Sequence, residues 1–145
     1  MKKIVESKSP EETALLAQEL AKTLRGGEVI LARGDLGTGK TCFAKALAKA
    51  LGVKGMVNSP TFNLIKVYQG TKFAFYHVDC YRLEGVDEKL KDLGFEDFLG
   101  EKDVITYVEW PEDGPSSLLG RKDAITLTFA FVDEEERRIE IDDPR

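Results

Sequence analysis

Two rhythms of apolar and polar positions run along this chain, and the switches between them mark out its elements. Ser9-Pro10-Glu11-Glu12 opens a helix, with serine as N-cap, proline at the first helical position and glutamate three residues after the serine. That helix carries Leu15, Leu16, Leu20 and Leu24 on one side and ends at Gly26-Gly27. The short apolar run Val29-Ile30-Leu31-Ala32 predicts a buried strand over 28–33. Strong helix formers follow at 43–51, closed by Gly52. Residues 62–68 alternate as a strand, turn through Gln69-Gly70-Thr71 and return over 72–79 as a hairpin. A charged, amphipathic stretch at 86–99, with Leu90, Leu93, Phe95 and Phe98, predicts a helix. Residues 104–108 predict another buried strand, 111–120 a loop with room for one helical turn, and 124–131 with 137–141 a second hairpin. The order favours an α/β sandwich: a mixed central sheet flanked by helices, with two β-hairpins.

The segment between the strand at 28–33 and the helix at 43–51 carries the strongest chemical signal. Gly34, Asp35, Leu36, Gly37, Thr38, Gly39, Lys40 and Thr41 complete the pattern G-x-x-x-x-G-K-[ST]. Strand, glycine loop and helix is the setting in which that pattern forms a phosphate site, so the fold class narrows to a single P-loop NTPase-like domain spanning 1–145. Glycines let successive backbone N–H groups turn inward to phosphate oxygens, and the helix N-terminus adds partial positive charge. Lys40 is expected to reach the β- and γ-phosphates and the Thr41 hydroxyl to hold Mg²⁺.

Such a site needs an acid at the end of a neighbouring strand, and Asp79 and Glu109 both qualify. One can serve as metal ligand and the other orient or deprotonate the attacking water; the sequence leaves the division open. Asn58-Ser59-Pro60-Thr61-Phe62 falls where a loop can sense the γ-phosphate, with Thr61 offering its hydroxyl. His77, the only histidine, is expected to be packed and hydrogen-bonded rather than a general base. Arg82 can neutralise phosphate or pair with Asp79 or Glu84. Trp110 can pack, contact a partner or cover the nucleotide.

Composition then excludes classes. With 145 residues and 42% hydrophobic content the chain can bury a sizeable core, and it holds no stretch long enough to span a membrane. The N-terminus turns polar too early for a signal peptide. Cys42 and Cys80 lack metal-ligand spacing and are expected to be small buried residues in a reducing, cytoplasmic setting. A net charge of −5 argues against a surface that grips nucleic acid unaided. The acidic run Asp133-Glu134-Glu135-Glu136 is expected to be a solvated turn. No Asn/Thr-Lys-x-Asp motif supports guanine recognition, and Asp97-Phe98-Leu99-Gly100 lies in a helical stretch, where a GTPase switch would not be.

Four motifs together resemble the TsaE (YjeE) family. Gly-Asp-Leu-Gly-Thr-Gly-Lys-Thr at 34–41, Ser-Pro-Thr-Phe at 59–62, His-Val-Asp-Cys-Tyr-Arg-Leu at 77–83 and Val-Glu-Trp-Pro-Glu at 108–112 occur in that family's order and spacing. The resemblance runs from the helix start at Ser9 to the strand at 137–141. Cys42 departs from it, standing where the family usually has Thr or Ser, and leaves only a backbone N–H for phosphate. The resemblance implies an ATPase, weak alone, that binds ATP/ADP with Mg²⁺. It implies action with TsaB and TsaD in placing threonylcarbamoyl on the adenosine next to the anticodon, tRNA being held mainly by the partners. It further implies Thr41 and Glu109 as metal ligands, Asp79 as a carboxylate that orients water or supports the ligands from behind, Thr61 as sensor and Trp110 at the nucleotide or partner surface. Glu11 and Arg137 are adenine-contact candidates by the same analogy. The alternatives are a small-molecule P-loop kinase and a nucleotide-gated docking module without catalysis.

Overall fold

The computed structural model describes residues 2–58, 64–81 and 86–145, the side chains of 86 and 87 excepted. Among these residues seven strands form one mixed sheet in the order β1-β7-β6-β2-β5-β4-β3. They are β1 (Lys2–Ser7), β2 (Val29–Arg33), β3 (Ile65–Gln69), β4 (Ala74–Asp79), β5 (Val104–Glu109), β6 (Ile125–Phe131) and β7 (Arg137–Asp142). The four central strands, β6, β2, β5 and β4, run parallel, while β1, β7 and β3 join antiparallel. The sequence anticipated both hairpins, β3–β4 and β6–β7.

Alternation along β2 explains the layers. Ile30 and Ala32 face α1 (Pro10–Thr23) and α2 (Lys40–Ala50), where Ala17, Phe43, Ala44, Leu47 and Ala48 are fully buried. Val29 and Leu31 face the opposite layer, formed with Leu90 of α3 (Val86–Asp92), Phe95 of α4 (Phe95–Phe98) and Leu118 of α5 (Ser116–Leu119). A parallel strand covered on both faces has to be apolar where it is covered, as β2 is over its first four residues before the exposed Arg33. Phe43 anchors the first layer, with an edge contact to Phe129 at 5.7 Å and a stacked contact to Tyr107 at 6.2 Å between ring centres.

Several expectations change. α1 begins as predicted, its Ser9 hydroxyl accepting from the Glu12 N–H at 3.2 Å. Its buried stripe, however, is Thr13, Ala17 and Leu24 with Leu16 and Leu20, while Leu15 is 58% exposed. Leu15 sits one position off a helical stripe set by steps of three and four. The single helix expected at 86–99 is two helices, broken at Gly94, whose φ of 75° leaves the right-handed helical region. Leu93, assigned to its apolar face, is exposed. β1 was not predicted at all. Cys80 is buried as expected, but Cys42 is exposed on the first turn of α2. Ser59 to Phe62, with Thr61, and Arg82 lie outside the described residues.

Candidate nucleotide-binding site

The parallel strands end at one edge of the sheet, and the chemistry collects there. β2 delivers the glycine loop. Gly34 packs so close to β6 that a Cβ there would lie 2.5 Å from the Phe129 carbonyl oxygen. The Thr38 hydroxyl donates to the Asp35 carbonyl at 2.7 Å and braces the loop from inside. Gly39 takes φ 100° and caps α2, a left-handed position that favours glycine. Lys40 and Thr41 therefore stand on the first turn of an 11-residue helix, where its N–H groups and dipole favour an anion.

β4 and β5 end in register, Asp79 beside Glu109. Both carboxylates are buried, at 7% and 3% exposure. The Thr41 hydroxyl donates to Glu109, 2.9 Å from Oε1 and 3.1 Å from Oε2. His77 Nε2 lies 2.5 Å from Glu109 Oε2, with the ring wholly buried. Asp79 Oδ1 accepts from the Tyr81 N–H at 3.0 Å. His77 is thus packed and hydrogen-bonded, as anticipated.

Lys40 donates to the Gly34 carbonyl, and its ammonium lies 3.5 Å above the centre of the Trp110 ring. Burial lowers the Lys40 pKa from its ordinary value, against the pull of Glu109, Glu112, Asp79 and Asp35. Trp110 reaches that place because its backbone is left-handed, φ 56°, at the turn after β5; its ring also packs on Tyr81 at 4.7 Å. The Tyr107 hydroxyl donates to the Lys40 carbonyl at 2.7 Å, and burial pushes its phenol well above the usual range, so it stays a donor.

Arg137, at the start of β7, donates to the Gly37 carbonyl at 3.1 Å and lies over the Phe131 ring. The acidic turn before it is exposed, and Asp133 accepts from the Glu135 and Glu136 N–H groups.

Leu36, Gly37, Gly39, Lys40, Thr41 and Cys42 line one face of a cleft of about 420 Å³. Asp79, Glu109, Trp110 and Arg137 close it, with Tyr81 joining them. Gly34, Asp35 and Thr38 shape the loop from behind. Glu11 does not line this cleft; it is exposed on the first turn of α1. Sequence reasoning left out Tyr81, Tyr107 and the partnership of His77 with Glu109. A signal for the last existed: Asp79 and Glu109 both end strands, and pairing them sets His77 opposite Tyr107, two residues before the acid.

The donor set suits a small hard cation. Mg²⁺ takes oxygen ligands at about 2.1 Å in an octahedron, whose adjacent ligands are then about 3.0 Å apart. Thr41 Oγ1 and Glu109 Oε1, 2.9 Å apart across their hydrogen bond, would be two neighbouring oxygens for such an ion. Among the described residues no cluster of three His, Cys, Asp or Glu could hold a metal alone, so the remaining ligands would be water and phosphate.

A glycine loop between a central parallel strand and a helix, facing strand-end carboxylates, defines a P-loop nucleotide-binding protein. The family model described as "Threonylcarbamoyl adenosine biosynthesis protein TsaE" matches residues 7–139, and the chain belongs to that family. It is 42% identical over 136 residues to the tRNA threonylcarbamoyladenosine biosynthesis protein TsaE of Aquifex aeolicus, covering 92% of this chain and 90% of that protein. The Bacillus subtilis protein of the same name is 38% identical over 128 residues, 88% of this chain and 78% of the relative. The crystal structure of Bacillus subtilis YdiB superposes with a TM-score of 0.73 at 30% identity, covering 97% of this chain and 84% of that one.

Proposed function

We propose that this cleft binds ATP with Mg²⁺ and hydrolyses it slowly, in support of tRNA threonylcarbamoyladenosine formation. The contact between the Thr41 hydroxyl and the Glu109 carboxylate supports this reading above all, because it pairs a phosphate-loop hydroxyl with a strand-end acid at metal-sharing distance. When bound, Mg²⁺ supplies charge neutralisation at the β- and γ-phosphates. Lys40 leaves the Gly34 carbonyl for those phosphates, and the loop N–H groups hold their oxygens. Asp79 orients the attacking water, Thr61 senses the γ-phosphate, and Trp110 and Arg137 bound the cleft. Cys42 contributes its backbone N–H.

TsaB and TsaD are the proposed partners, in the cytoplasm. The threonylcarbamoyl transfer belongs to TsaD, and hydrolysis here supports repeated turnover. A chain of net charge −5 leaves tRNA chiefly to those partners. An arginine supplied across an interface accelerates such hydrolysis by about 10³–10⁵, which makes docking a means of gating the site.

The test is ATP hydrolysis with Mg²⁺ by the chain alone and with TsaB and TsaD, beside Glu109→Ala. Turnover that rises with the partners and is lost in the variant is expected. Tight ATP binding without hydrolysis in either condition would reduce the chain to a nucleotide-dependent docking module.

A further inference from the structure

Glu109 is held from two sides. The Thr41 hydroxyl approaches both of its oxygens, 2.9 Å from Oε1 and 3.1 Å from Oε2, while His77 Nε2 lies 2.5 Å from Oε2 only. His77 has no freedom to do otherwise: it is wholly buried on β4, with the Tyr107 ring edge-on at 5.7 Å and Phe75 at 6.2 Å. Its other nitrogen, Nδ1, is buried without a hydrogen-bond partner among the described residues. A hydrogen on Nδ1 would be a buried donor with no acceptor, whereas a bare Nδ1 forgoes only one bond. The surroundings therefore favour the tautomer that carries its hydrogen on Nε2, aimed at Glu109. Among the described residues they also give His77 no second group to which it could pass a proton.

We infer that His77 is a positioning residue: it engages Oε2 of Glu109 and so leaves Oε1, the oxygen it does not touch and the nearer of the two to Thr41 Oγ1, for the metal. The inference rests on the reading above that Thr41 and Glu109 hold Mg²⁺. A buried carboxylate without this donor would be free to rotate and offer both oxygens, or to turn away from the helix. Hydrogen-bonding partners of this kind set the orientation of metal ligands, and their loss typically costs 10–100-fold in metal affinity.

The experiment measures Mn²⁺ binding by electron paramagnetic resonance in the presence of a non-hydrolysable ATP analogue. Binding of the same analogue in EDTA is measured in parallel for each variant. His77→Leu is expected to weaken Mn²⁺ by about 10–100-fold while metal-free nucleotide binding stays unchanged. His77→Gln, whose amide N–H can still reach Oε2, should recover most of the affinity, and the shorter His77→Asn should not; this polar pair decides the matter if the leucine variant fails to fold. Undiminished Mn²⁺ affinity in His77→Leu or His77→Asn, with Glu109→Gln weakened, would overturn the role of His77 alone. Equal loss of metal-free and metal-dependent binding would make His77 merely structural. Undiminished Mn²⁺ affinity in Glu109→Gln would remove the metal site itself, and this inference with it.

Discussion

Every residue of β5, at the centre of the sheet, is buried, whereas β1 at its margin buries only Ser7. The central strands are parallel and covered on both faces, so apolar burial fixes them and their carboxyl ends converge on one edge. The marginal strands are antiparallel, with register set by hairpin turns and backbone pairing, as in Lys2↔Asp142 through Ser7↔Arg137. The centre thus places Lys40, Thr41, Asp79 and Glu109, groups that have to be fixed to fractions of an ångström. The margin lends a single side chain, Arg137, through a bond to a loop carbonyl. The candidate site's ionisable groups sit where burial enforces geometry, and adjustable contacts sit where it does not.

The largest effect should come from breaking the centre's packing. Phe43→Ala removes a fully buried ring that bridges β5 and β6, and is expected to cost about 3–5 kcal/mol in denaturant unfolding. Lys40→Ala tests the same region without its packing: ATP hydrolysis should fall by at least about 10²–10³ while thermal unfolding stays cooperative. If activity survived, the loop assignment would be wrong. At the margin, Arg137→Ala gives up one neutral acceptor contact to the loop, so nucleotide affinity should drop by about tenfold or less, read by calorimetry. A loss as large as that of Lys40→Ala would erase the distinction between the two regions. The smallest effect concerns acid stability at the far edge. The hydrogen bond from Arg145 holds the Asp143 carboxyl below its usual 3.8. Its contribution is fully present above that value and is lost as pH falls through the depressed pKa. Asp143→Asn should therefore shift acid unfolding by less than about 1 kcal/mol, with the difference closing at the lowest pH.

What the sequence made legible follows the same divide. The phosphate loop was readable because its chemistry is contiguous, and Asp79 and Glu109 because apolar runs announce buried strands and their ends. β1 was not, since Lys2, Lys3 and Glu6 give an edge strand no apolar face and its partner lies some 135 positions away in the chain. The helical pattern over 86–99 runs through Gly94, but the left-handed turn this glycine makes ends one helix and starts another. Cys42 follows Thr41 on a turn whose buried side is taken by Phe43 and Ala44, which leaves its thiol outward. Glu11 was placed near the nucleotide by analogy, although nothing in its local pattern aims it into the cleft. The bond between His77 and Glu109 depends on strand register, a non-local fact that periodicity does not carry.

Trp110 is the one tryptophan in the chain, and the loop lysine rests on its face. The protein therefore carries its own optical gauge. Indole emission responds to a cation at van der Waals distance, so a ligand that draws Lys40 toward its phosphates changes the intensity and colour of that emission. Filling of the cleft becomes visible on the timescale of mixing, without a label, once excitation beyond the absorption of the four tyrosines leaves Trp110 as the source of the emission.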